Sequence, residues 1–148
     1  MTTICSIIDR IASIASSRSS RSSNKLSSSA TRRQRDLQCF IENRFVVSLC
    51  HGPAAFLAVG DSDIYRGYKI CAFPDALDAQ TPDIGYMPGH LTWKFGEKLK
   101  ALGFEILNEG ISGAAHQDRK LLTGDNPLAG NALGKLAADA ILKEVGAA

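Results

Sequence analysis

Cys50 ends an apolar, β-branched run, Phe45-Val46-Val47-Ser48-Leu49, and is followed at once by His51-Gly52-Pro53 and the helix-forming Ala54-Ala55-Phe56-Leu57. That order spells a strand, a tight turn and a helix, with a thiol at the corner. A sulfur there lies near a helix N-terminus, where unpaired backbone N–H groups and the helix dipole favour the thiolate, the nucleophilic form. Pro53 suits a first helical turn, because its missing N–H would be unpaired there anyway. Gly52 lets the chain turn and leaves room beside the sulfur. The pattern resembles a nucleophile elbow, with the backbone N–H of His51 available to an oxyanion. A buried structural cysteine at a strand end is the competing reading.

Other residues with chemical capacity lie nearby in sequence. His51 follows the thiol directly, although neighbours in a strand point opposite ways, so sequence alone does not bring the ring to the sulfur. A histidine placed at the turn for packing is the alternative. Asp75 and Asp78 lie downstream in Pro74-Asp75-Ala76-Leu77-Asp78, and either also suits a turn cap. His90 reads as structural or as a helix start. His116 and Asp118 form a His-x-acid pair ahead of an expected strand.

The segment Ser48 to Ala58 resembles the nucleophile region of the PfpI/ThiJ superfamily. The likeness continues through Ile70-Cys71-Ala72-Phe73-Pro74-Asp75, Gln80 to Trp93, Asp118 to Asp125 and Asn131 to Leu136. Separate blocks in one order are more specific than any single motif. Together they are similar to the HchA branch, a group of glutathione-independent glyoxalases (glyoxalase III), protein deglycases and holding chaperones. The likeness runs from about Arg44 to the C-terminus. It implies a catalytic set of Cys50 as nucleophile, His51 as proton carrier and Asp78 as the acid that orients it, with Asp78 preferred over Asp75 on this ground alone. It also implies a glutamate upstream of the cysteine, a Gly-rich turn giving a second oxyanion donor, and His and Glu metal ligands. None has a matching segment here; Glu42 stands at the entry of the same strand, too near to cross the sulfur. No cofactor or metal is therefore expected, and activity is expected to be impaired.

The elements that must position these residues alternate between strand and helix. Strands are expected at Phe45–Leu49, Tyr68–Phe73, Phe104–Leu107 and Lys120–Thr123. Helices are expected after Pro53 as far as Gly60, along Leu91, Phe95, Leu99 and Leu102 with Gly103 at the end, and from Asn126-Pro127 to the C-terminus. Pro74 to Gly89 reads as one long irregular loop, of the kind that often carries function. The pattern is α/β with a mainly parallel sheet, and the family resemblance makes it a flavodoxin-like layered sheet with helices on both faces. Four strands are few for such a sheet. The resemblance places further strands upstream, where this chain has a different composition, so an open sheet edge is expected that invites dimerisation, strand addition or aggregation.

A chain of 148 residues fits a single domain. The formal net charge of +2 is unevenly spread. In residues 1–35 seven basic side chains face Asp9 alone, a net of +6, leaving −4 for the rest. Residues 1–38 read as a disordered Ser/Arg-rich head, with Ile4, Ile7, Ile8, Ile11 and Ile14 at helical spacing. An organelle transit peptide, a nucleic-acid or membrane-surface contact, and no evolved role all fit that head. Residues 39–148 form the expected body. Cys5, Cys39, Cys50 and Cys71 show no zinc spacing and no secreted framework, which suits a cytoplasmic location. No apolar stretch reaches the roughly 20 residues needed to span a bilayer.

The expected function is a cysteine-dependent glyoxalase III or deglycase acting on methylglyoxal or its early protein adducts. A holding chaperone for unfolded clients and an inactive fragment are the alternatives.

Overall fold

A computed structural model describes residues 43–60, 63–85 and 88–146. The head, with its expected helix, Cys5, Cys39 and Glu42, lies outside the described residues.

β1 (Val46–Leu49) is the strand expected from the β-branched run, and it leads into Cys50. Val46 and Ser48 are buried while Val47 and Leu49 are half-buried, so one face is packed more tightly than the other. A 3-10 helix, Gly52–Val59, follows with Pro53 in its first turn. A short 3-10 turn, Asp63–Tyr65, precedes β2 (Lys69–Ile70). α1 (Asp75–Asp78) and α2 (Phe95–Ala101) flank the loop between them, and β3 is Glu105–Ile106. β4 (Ala115–Asp118), β5 (Leu121–Gly124), a 3-10 turn at Pro127–Ala129 and α3 (Gly130–Gly146) complete the chain.

β1 runs parallel to β5, with Val46 opposite Leu121 and Leu49 opposite Gly124. β4 pairs antiparallel with the other side of β5, from Ala115 opposite Gly124 to Asp118 opposite Leu121. β2 and β3 form a separate parallel pair. The sheet is therefore mixed, an α/β layered arrangement. Three expectations need correcting. The helix after Pro53 is 3-10. Part of the expected loop, Asp75–Asp78, is helical. His116 and Asp118 precede β5 as expected, but they also form a further, unexpected strand, β4, because Arg119 takes a left-handed φ of 56° and folds β4 back onto β5.

The core joins β1, β2 and β5 to the helices through Val46, Phe56, Ile70, Phe95, Leu99 and Leu121. An aromatic group fills its centre: Phe56 lies 4.8 Å from Tyr65, which lies 5.3 Å from Phe104 and 5.5 Å from Tyr68. Such pairs add to the burial of their area. Side chains close the gap between the two strand sets. Cys71 N–H donates to Thr123 Oγ1 at 2.8 Å, Lys69 N–H donates to Asp118 Oδ2 at 2.8 Å, and Asn108 both donates to and accepts from the backbone of Ala72. Gly124 is needed where β5 meets β1 and the start of α3: a Cβ there would lie 2.7 Å from Leu49 Cδ1 and 2.9 Å from Ala129 Cβ.

Candidate active site

Cys50 leaves the strand with φ 62°, a left-handed conformation rare for a residue with a Cβ. Holding it costs on the order of 1–3 kcal/mol, and such strain gathers at functional sites. Both backbone polar groups of Cys50 are tied down. Its N–H donates to Gly124 O at 2.8 Å, and its C=O accepts from Phe73 N–H at 3.0 Å. The corner is thus pinned between the ends of β5 and the segment after β2.

That turn answers the alternation problem. Because Cys50 is no longer extended, His51 swings to the same side, and its Nδ1 lies 3.2 Å from Cys50 Sγ. His51 Nε2 lies 2.7 Å from Asp78 Oδ1 and 2.9 Å from Oδ2. The ring stacks on Phe73 at 4.6 Å, with Phe95 on another side at 5.3 Å. Asp78 comes from α1 and is buried, whereas the His51 side chain is 27% exposed. A carboxylate only accepts hydrogen bonds, so it fixes the proton on Nε2 and leaves the Nδ1 lone pair facing the thiol. The arrangement can take a proton from sulfur and hold the resulting imidazolium against a carboxylate.

The thiol itself departs from expectation. Burial pushes its pKa up, and the charges of Asp78 and Asp125 push the same way; a backbone hydrogen bond from His51 opposes them. Cys50 is only 8% exposed. The expected lowering of the thiol's pKa by a helix N-terminus is therefore corrected: burial holds it above its usual value. Loss of water around sulfur outweighs the few N–H groups that an eight-residue 3-10 helix offers.

Asp75, the rival acid, is engaged elsewhere. Its carboxylate accepts the N–H groups of Gly96 and Glu97 at 2.9 Å each and so caps α2. His90 is exposed in the loop before α2. Asp118 pairs with Arg119, and that guanidinium holds its carboxyl below the usual range. Among the described residues no group of three or more His, Cys, Asp or Glu side chains is placed to hold a metal ion. The donor set needed for the metal that the resemblance implies is thus not met by these residues. Nor is any helix among them long and apolar enough to cross a membrane.

Sequence reasoning missed Asp125, which is fully buried. Its Oδ2 accepts from Ser112 N–H at 2.7 Å, its Oδ1 has no partner among the described residues, and its charge raises both Cys50 and Cys71. The available signal was its place just beyond the carboxyl end of a parallel strand, where α/β sheets gather their functional groups.

No family model matches the chain. Over 108 residues, 72% of this chain, it is 68% identical to the protein/nucleic acid deglycase HchA of Escherichia coli O7:K1 (strain IAI39 / ExPEC). Over 109 residues it is 67% identical to the same-named protein of Escherichia coli (strain K12 / DH10B). The chain spans 38% of the length of these curated relatives. Among solved structures, it resembles the crystallographic structure of APC35852 with TM-score 0.65 at 20% identity, over 77% of this chain and 52% of that one. It resembles the Francisella tularensis Rapid Encystment Protein 24 KDa with TM-score 0.61 at 20% identity, over 73% and 48%. These two likenesses support the flavodoxin-like α/β fold.

Proposed function

Because the C-terminal part of this chain belongs to the HchA branch of the PfpI/ThiJ superfamily, we propose that it carries a cysteine-dependent deglycase site acting on methylglyoxal or on its early adducts with amines and thiols. The observation that carries this reading is the unbroken contact from Cys50 Sγ through His51 to Asp78 at a strained corner.

His51 Nδ1 takes the thiol proton as sulfur attacks the aldehyde carbon of methylglyoxal. The new C–S bond and a proton on the former carbonyl oxygen give a hemithioacetal. With a carbinolamine adduct, the C–S bond forms as the C–N bond breaks, and the proton returns from His51 to the departing amine. Moving the proton from the hemithioacetal carbon to the neighbouring carbonyl carbon, and the hydroxyl proton to that carbonyl's oxygen, gives a lactyl thioester. Water then cleaves that ester to lactate and regenerates the thiol. Asp78 steadies the imidazolium between these steps.

We place turnover below that of a fully equipped site. The backbone donor this reading relies on at the corner is the His51 N–H, which hydrogen-bonds the thiol. Lack of a second oxyanion donor commonly lowers rate by roughly 10²–10³.

A holding activity is the second reading, favoured by exposed Ile84 and Leu128, each 78% exposed, with Leu107 and Ile111 also open. One variant separates the two. Cys50→Ala should abolish lactate formation from methylglyoxal while keeping a cooperative unfolding transition. Equal turnover by that variant would overturn the enzymatic reading. Suppression of client aggregation should survive the substitution, and its disappearance along with the thiol would end the holding reading.

A further inference from the structure

Ser48 lies in β1, two residues before Cys50, and it is buried at 5% exposure. Its Oγ has no hydrogen-bond partner among the described residues. A buried hydroxyl without a partner calls for an explanation. Its neighbour supplies one. A Cβ built on Gly52 would lie 2.5 Å from Ser48 Oγ but 3.6 Å from Ser48 Cβ. The hydroxyl therefore rests against the bare Cα of Gly52, and the hydroxyl alone fills the space a methyl would need. Gly52 is not among the residues with positive φ, so a left-handed backbone does not account for glycine here.

We propose that Ser48 and Gly52 are a size-matched pair of positioning residues: the Ser48 hydroxyl, seated under the bare Gly52 backbone, sets the height of the turn that carries Cys50 and the His51 N–H. The pair closes the corner from below, while Gly124 O and Phe73 N–H fix it from the sides. Removing the hydroxyl lets the turn sink. Adding a methyl at Gly52 lifts it. Making both changes exchanges one filling for the other. This deepens the nucleophile reading of Cys50 and rests on it for any consequence in turnover.

The test is the rate of iodoacetamide alkylation at Cys50, resolved by mass spectrometry from the other thiols and followed against pH. It uses the full chain and S48A, G52A and S48A/G52A, with thermal unfolding in parallel. Each single variant should react about tenfold differently from the parent or shift the pH midpoint, since small misplacements at such sites have large effects. The double variant should lie closer to the parent than either single one. A double variant no closer to the parent than G52A overturns the pairing. That result would also follow if the crowding of residue 52 by the Pro53 ring were what demands glycine. If G52A fails to fold, a folded double variant at least as close to the parent as S48A supports the pair, and an unfolded or more distant one overturns it. Methylglyoxal turnover measured alongside separates the two claims: alkylation that behaves as expected without any turnover costs the deglycase reading and leaves the pair intact.

Discussion

Cys50 and His51 would point apart in a regular strand, yet their side chains meet at 3.2 Å because the strand ends at Leu49 and Cys50 turns with φ 62°. The strand-turn-helix order was legible in Gly52 and Pro53. The contact was not, because it depends on a left-handed residue that its neighbours hold in place. Asp78 was separable from Asp75 only by resemblance. In space the two differ plainly, one facing the imidazole and the other capping α2. Asp78→Asn is expected to lower turnover by roughly 10³–10⁴, because an amide N–H facing Nε2 drives the ring proton to Nδ1 and blocks the base. Steady-state lactate formation checks this, and a loss below tenfold would remove Asp78 from the mechanism. Asp125 escaped the sequence reading because nothing local marks a carboxylate as buried. Burial is decided by Ser112 and the strands around it.

Strand positions followed the apolar runs well, but they shrank in the fold. Tyr68–Phe73 reduces to Lys69–Ile70, since the N–H groups beyond Ile70 go to the Thr123 and Asn108 side chains and to Cys50 O rather than to a regular ladder. β4 was missed because Ala115-His116-Gln117-Asp118 lacks the β-branched residues that mark strands, and pairing with β5 imposes the extended form. The junction of β1, β5 and the start of α3 is closely packed. Gly124→Ala there is expected to destabilise by about 1–3 kcal/mol through overpacking against Leu49 and Ala129. Urea titration measures it, and an unchanged midpoint would show that the junction gives way freely. Because Gly124 O also holds Cys50 N–H, the same variant should slow turnover.

At the scale of the molecule, the fold sets the state of the sulfur. Enclosing Cys50 in the fold removes water from the sulfur and raises the pKa of its thiol, with the charges of Asp78 and Asp125 adding to that effect. A folded thiol that keeps its proton to higher pH than the unfolded one contributes stability below the unfolded thiol's range. That contribution falls away as pH rises through the unfolded value toward the folded one. On the proposed mechanism, the nucleophile would then be made on demand by His51 rather than stored as a thiolate. The measurement closest to this claim is the pH dependence of Cys50 alkylation, resolved by mass spectrometry, in the native chain and in the same chain unfolded in urea. A native midpoint above the unfolded one is the expected result; a native midpoint at or below it would mean that burial does not hold the proton on the sulfur, and would contradict the account.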